Sequence, residues 1–301
     1  MACSWTPVKL GRTGLEVVPL GLAASYGIPG RDVERAFERG VNLFYWGTRR
    51  TPDFGRALRR IAGRDRGKVV TVIQSYARAP WLIARSLENA LRALGLDHTD
   101  VLLLGWWNRP PPERIVEGAA ELVRRGKARH LMISCHHRPT FPILARDPRV
   151  ELLMMRYNAA HPGAEREVFP HLPEEKPGVV AYTTTSWGQL LDPALALAGE
   201  RVPRGTDCYR FVLSSTHVDA CWAGPKNADE LDDAMRALDL GPMSEDELAW
   251  MRRVGESVRA RTRLRTRGMS LADRALLVMR LALSGVDLVS DLALGARRRN
   301  G

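Results

Sequence analysis

Cysteine and lysine are both scarce in this 301-residue chain, and each scarcity excludes something. Cys3, Cys135, Cys208 and Cys221 are scattered without CxxC or Cys/His ligand spacing, so neither a zinc site nor a disulfide framework is indicated, no metal ligands are assigned, and reduced thiols are expected. Five lysines (Lys9, Lys68, Lys127, Lys176 and Lys226) stand against forty arginines, a bias that weakens a functional reading of any one arginine. Long apolar runs are also missing, because Arg274, Arg280, Asp287 and Asp291 interrupt the greasiest stretch well short of a membrane span. The start, MACSWTPVKLGRTGLEV, lacks the apolar core of a signal peptide and the Arg/Ser-rich amphipathic character of a transit peptide, so a cytoplasmic location is expected.

The net charge of +11 suggests nucleic acid until it is mapped. Twelve arginines after residue 250, against Glu256, Asp273, Asp287 and Asp291, give +8 there and leave +3 for residues 1–250. The positive charge gathers in Arg259 to Arg267 and Arg297 to Arg299, and no aromatic residue follows Trp250 to stack on bases. Nucleic-acid binding is therefore not expected, and an acidic partner or surface suits the Arg-rich tail better.

What is present is alternation. VKLGRTGLEV, Val8 to Val17, reads as a β-hairpin with Gly11 and Gly14 in its turn. Eight apolar strand candidates follow: VPLGLAA (18–24), NLFYW (42–46), VVTVIQ (69–74), DVLLLG (100–105), RHLMIS (129–134), VELLMM (150–155), VVAYTT (179–184) and VDACW (218–222). Helical patterns such as DVERAFERG, WLIARSLENALRALG and ADELDDAMRAL lie between them, and a short helix is expected at Asp207 to Ser215. Strands apolar on both faces and alternating with helices indicate a parallel sheet, and eight such units fit a closed barrel. No GxGxxG follows the first strand, which excludes the dinucleotide fold of open sheets. The predicted fold class is α/β, a (β/α)8 TIM barrel with an N-terminal β-hairpin and extra C-terminal helices. The barrel takes residues 1–258, and an Arg-rich, partly helical extension takes 259–301, with a second helical segment opened by Ser270 and Asp273.

Several fragments, in order, resemble the aldo-keto reductases over residues 7 to 258. They are LGRTGLEVVPLGLA, GVNLFYWGTRRTPDFGRAL (Gly40 to Leu58, similar to GxNFFDTAxxYG…LGxAL), DVLLLGWW, ISCHH, RYNAAHPGAEREVFP, VVAYTTTSWGQLL and GPKNADELDDAM. The resemblance implies NADP(H) laid across the strand ends. It also implies a catalytic Asp, Tyr, Lys and His, and here this chain departs: Tyr45 takes the Asp position, Arg49, Arg50 or a gap faces the Tyr, Gln74 takes the Lys position and Gly105 the His position.

For the cofactor, the resemblance implies Ser134, Asn158, Tyr157 as a ring to stack on the nicotinamide, Gly188, and the turn holding Gly224, Lys226 and Asn227. That turn also makes physical sense, since Gly224 lets backbone approach a phosphate, the next helix presents free N–H groups, and Lys226 adds a cation. Cys135 replaces the Asn of the family's SN pair, Met154 stands where a Gln is expected, and Glu230 and Ala234 replace Gln and Asn.

Reduction of a carbonyl needs a proton donor near the oxygen, its pKa lowered by a cation. Tyr45, tuned by Arg49 or Arg50, is the first candidate, with Gln74 hydrogen-bonding the substrate oxygen; Tyr26 is the second. Either ring also reads as filler for the volume left by Gly105, against Trp106 and Trp107. His136 reads as an acid or base, or as a solvated loop residue. Cys135 beside it lies on the opposite strand face, which argues against a Cys/His pair. The leading expectation is an NADP(H)-dependent oxidoreductase with a rebuilt acid site acting on an apolar or aromatic carbonyl, in a pocket lined by Trp46, Trp106, Trp107 and Trp187. A catalytically inactive NADP(H)-binding sensor or interaction protein is the alternative, and a non-redox barrel enzyme with an emptied groove is the third.

Overall fold

A computed structural model of the chain describes residues 6–47 and 50–267. Thr48 and Arg49, Cys3, the segment opened by Ser270 and Asp273, and Arg297 to Arg299 lie outside the described residues. The chain opens with an antiparallel hairpin, β1 (Val8–Lys9) and β2 (Glu16–Val17). Strand and helix then alternate as β3 (Leu20–Ala23), α1 (Gly30–Glu38), β4 (Leu43–Trp46), α2 (Pro52–Asp65), β5 (Val70–Ser75), α3 (Pro80–Leu94), β6 (Thr99–Leu104) and α4 (Glu113–Arg124). The second half runs β7 (Ala128–Cys135), α5 (Phe141–Leu144), β8 (Leu152–Arg156), α6 (Ala164–Glu167), β9 (Gly178–Tyr182), α7 (Gly205–Leu213), β10 (Ala220–Ala223), α8 (Ala228–Leu240) and α9 (Glu245–Arg267). Strands β3 to β10 pair in parallel with their sequence neighbours, and β10 returns to β3, closing an eight-stranded barrel. All eight predicted strands are present.

Strand parity divides the core in two. Leu43, Tyr45, Val72, Val101, Leu103, Met132, Leu152, Met154, Val180 and Trp222 point inward and pack with Leu10, Leu15 and Val17 of the hairpin, which plugs the barrel floor. Their neighbours Phe44, Trp46, Ile73, Leu102, Leu104, Ile133, Cys135, Leu153 and Cys221 point outward under the helices. The plug is close: Gly11 has φ +54°, and a Cβ there would fall 2.0 Å from the Gly178 nitrogen. Helices begin where prolines preset the backbone, with Pro52 opening α2 and Pro80 opening α3, and α3 ends on Gly95 in the left-handed region.

Helix α9 docks through buried Trp250, Met251, Val254 and Val258 and continues to Arg267 without a break. The boundary expected at 258/259 therefore falls inside one helix. The basic segment starts as its continuation, and Thr262 Oγ1 donates to Gln189 Oε1 at 3.4 Å in the loop after β9. No helix among the described residues is long and apolar enough to cross a membrane.

Candidate active site

At the C-terminal ends of the strands a cleft of about 300 Å³ opens, and it runs from Tyr45, Gln74 and Ser134 at the barrel centre to Gly224, Lys226 and Glu230 at its outer end. This is the end of a parallel barrel at which loops of variable sequence meet. Among the described residues four non-glycine residues have positive φ, Trp106 (57°), Thr183 (54°), Ser186 (52°) and Trp187 (55°), and all belong to the loops around this mouth.

Tyr45 is an inward residue of β4, 3% exposed, with its ring 5.2 Å from that of Trp222 and tilted 33°. Its hydroxyl donates to Gln74 Oε1. Arg50 approaches the same pair from behind the strand. Its Nη2 donates to the Gln74 carbonyl at 2.6 Å and to Ser86 Oγ at 3.3 Å, and its guanidinium lies 5.6 Å from the Trp46 ring. Burial lowers the Arg50 pKa, and attraction to the ionised form of Tyr45 opposes that shift. The structure thus brings together Tyr45, Gln74 and Arg50, although Arg50 tethers the strand end and is not on the cleft wall.

Gly105 is already packed. A Cβ there would fall 2.1 Å from Gln74 Nε2 and 2.7 Å from Tyr76 Cε1. The filler of that volume is the Gln74 amide with the Tyr76 ring, whereas Tyr45 and Tyr26 lie elsewhere: Tyr26 rests on Gly224, where a Cβ would meet its ring at 2.5 Å. Trp106 packs edge-on to Tyr76 at 5.3 Å and is 43% exposed. Of the four tryptophans expected around the pocket, Trp106 and Trp187 line it. Trp46 faces the helix layer because it lies one residue from inward Tyr45. Trp107, covered by Arg78 at 4.0 Å, does so although it is in phase with inward Val101 and Leu103, because β6 has ended and the left-handed backbone of Trp106 breaks the alternation. Trp222, two residues beyond inward Ala220, lines the cleft instead.

Among the residues expected to hold the cofactor, Ser134, Gly188, Gly224 and Lys226 are on the cleft wall. Tyr157 is not. It is 2% exposed on the outer side of the barrel, stacked on Phe211 at 5.9 Å, with its hydroxyl donating to Glu165 Oε1 at 2.7 Å; burial, then Glu165, pushes its pKa up. Tyr157 therefore cannot stack on a ligand in the cleft. Asn158 is fully buried beside the cleft and ties two loops together, donating from Nδ2 to the Thr183 carbonyl at 2.7 Å and accepting from His161 N–H at 2.9 Å. Asn227 caps α8, its Oδ1 accepting from Glu230 N–H at 2.9 Å.

Sequence reasoning missed one polar pair at the mouth. Tyr182, the inward residue ending β9, lines the cleft and has its hydroxyl 2.6 Å from His136 Nδ1. The His136 ring is edge-on to both Tyr182 (5.6 Å) and Trp106 (6.3 Å), so Tyr76, Trp106, His136 and Tyr182 form one aromatic row. Parity from inward Val180 was the available signal. Cys135 faces the other way, its thiol 3.3 Å from the His137 carbonyl and its pKa pushed up to about 11 by burial, which leaves no Cys/His nucleophile.

Comparison with known proteins agrees with this architecture. The profile described as "Aldo/keto reductase family" matches residues 31–194, more than half of the chain. The chain belongs to the aldo/keto reductase family. Among solved structures it is similar to aldo-keto reductase AKR11C1 from Bacillus halodurans in its holo form, with a TM-score of 0.71 and 17% identity over 83% of this chain and 96% of that one. At that identity the likeness speaks for the barrel, and the cleft chemistry rests on the residues above.

Proposed function

We propose that the protein is an oxidoreductase that binds a nicotinamide dinucleotide and moves hydride to or from a carbonyl or alcohol, with Tyr45 as the proton donor. The observation that carries this reading is the single cleft joining the Tyr45–Gln74 pair to the Gly224–Asn227 turn at the start of α8. Its shape suits an elongated ligand, its walls offer the Tyr182, Trp187 and Trp222 rings, and glycine backbone borders it at Gly188 and Gly224.

When bound, a reduced nicotinamide supplies a hydride to the carbonyl carbon. Tyr45 Oη gives its proton to the carbonyl oxygen as the C=O π pair moves onto that oxygen, so an alcohol leaves and the phenolate is reprotonated by water. Arg50 favours the phenolate by its charge, as the Tyr45 contribution to its own pKa implies. Gln74, held by Arg50 through its carbonyl, orients the Tyr45 hydroxyl through its Oε1, while its amide nitrogen takes the space beside Gly105. The rings of Trp106, Trp187, Tyr76 and Tyr182 favour an apolar or aromatic carbonyl.

One observation favours a second reading, a dinucleotide-binding protein without hydride transfer. The Tyr45 hydroxyl already donates to Gln74, and the Gly105 volume is filled by the Gln74 amide and Tyr76. Steady-state oxidation of NADH and NADPH with a panel of aromatic and aliphatic aldehydes and ketones separates the two. Turnover with any of them supports the reductase; saturable binding with no turnover across the panel selects the second reading.

A further inference from the structure

We propose that the cleft selects NAD(H) over NADP(H) and that Glu230 sets the choice. The inference rests on the dinucleotide reading above. The outer end of the cleft is walled by Gly205, Lys226, Glu230 and Asp233, where α8 begins. Such a helix start is ordinarily ready for a phosphate, with unpaired N–H groups and the positive end of the helix dipole, and Lys226 adds a cation.

Here the chain supplies the anion itself. The Glu230 carboxylate reaches back over the first turn of α8 and accepts the Lys226 N–H at 2.9 Å, while Lys226 Nζ lies 3.7 Å from its other oxygen. Asn227 Oδ1 in turn accepts the Glu230 N–H, so Asn227 caps the helix while Glu230 reaches one residue further back to Lys226. Asp229 adds a second acid to the same turn. Asp233, one turn on, accepts from Arg204 Nε at 3.0 Å and from Thr206 Oγ1 at 2.8 Å. Lys226 on this wall, and Arg204 just before α7, are thus each paired with a carboxylate of α8.

A 2′-phosphate brings nearly two negative charges and must displace Glu230 from Lys226 or lie beside it uncompensated. A 2′-hydroxyl brings no charge and has a proton to donate to a carboxylate, the pairing by which acidic residues read an unphosphorylated ribose. The same group therefore repels one dinucleotide and accepts a hydrogen bond from the other, which is how discrimination by charge is built. Lys226, the residue from which NADP(H) was expected, has the Glu230 carboxylate 3.7 Å away.

The test is a titration of the full chain with NADH and with NADPH, followed by tryptophan fluorescence and by the shift in melting temperature. NADH is expected to bind roughly tenfold more tightly at low ionic strength, with the ratio shrinking as salt screens the repulsion. Glu230→Gln retains a side chain able to cap α8, so the fold is kept and the ratio should fall to roughly threefold or less. Glu230→Arg should invert it. Tighter NADPH binding by the unaltered protein, or a ratio that Glu230→Gln leaves in place, overturns the selectivity alone. If neither nucleotide moves fluorescence or melting temperature, the dinucleotide reading falls and this inference falls with it.

Discussion

The two ends of the barrel are built on opposite principles. At the floor, the positive-φ positions of the hairpin are the glycines Gly11 and Gly14, and the buried charge of Asp100 is met on all sides. Asp100 accepts from Thr71 N–H at 2.8 Å, Thr71 Oγ1 at 3.0 Å, Arg66 Nη2 at 3.0 Å and Arg129 Nη1 at 3.2 Å. At the mouth, bulky residues occupy the left-handed region, and Tyr26, Tyr76 and Trp106 are each more than a third exposed. At the floor the strained turn positions are given to glycine and the Asp100 carboxylate is paired; among the described residues the mouth holds backbone strain at non-glycine positions and partly exposed aromatic rings. That division is expected where one end of a fold supplies stability and the other supplies binding.

The comparison breaks if stability and chemistry turn out to be mixed between the ends. The largest expected effect is at the mouth: Tyr45→Phe should lower turnover by about 10²–10⁴-fold while leaving dinucleotide affinity nearly unchanged, as read by steady-state kinetics beside binding titrations. Retained turnover would remove Tyr45 from the mechanism and direct attention to Tyr182 and its His136 partner. At the floor, Asp100→Ala strips the acceptor from four donors and should cost about 3 kcal/mol in urea unfolding, with binding per folded molecule unchanged.

Smaller substitutions sharpen the contrast. Thr183→Gly at φ 54° should raise stability by about 0.5–1 kcal/mol, because a β-branched residue is strained in a conformation that glycine adopts freely. A loss of stability there would mean that the mouth is not strained at that position. The smallest effect is expected on the outer layer, where Arg210 holds Glu247 through both guanidinium nitrogens and, with the Ser244 N–H, lowers its pKa from 4.5 to about 2. A carboxylate depressed in the folded state contributes stability above its unfolded pKa and loses it as pH falls through the folded one. Partial exposure limits the gain, so Glu247→Gln should cost no more than about 1 kcal/mol near neutrality, and the deficit should vanish between pH 4.5 and about 2.

Six of the residues singled out in the sequence line the cleft, and those that do not are placed elsewhere by strand parity or by the turn that ends a strand. Tyr45 and Gln74 stand where apolar strand runs stop, Ser134, Gly188, Gly224 and Lys226 were implied by the resemblance to the aldo-keto reductases, and all six line the cleft. Tyr157 and Trp46 were read as facing the cleft although each lies one step out of phase with inward Met154 or Tyr45, and a shift of one residue on a strand carries a side chain to the other face. Trp107 is in phase but lies past the end of β6, after the left-handed turn at Trp106. Tyr182 and Trp222 were passed over although each is in phase with an inward residue, Val180 and Ala220. The Tyr182–His136 pair spans 46 positions and becomes a neighbourhood only through the pairing of β7 to β8 and β8 to β9.

By itself the sequence determined the barrel, its N-terminal hairpin and the end of the barrel at which the cleft opens, because apolar periodicity and chain alternation are local properties that leave few ways to bury eight two-faced strands. The tertiary structure alone decided which side chains share the cleft. Strand parity, the filling of the Gly105 volume by Gln74 and Tyr76, and the tie between Glu230 and Lys226 depend on where atoms distant or adjacent in the chain come to rest. Charge and hydrogen bonding act over a few ångströms in space, and no reading along the chain measures that distance.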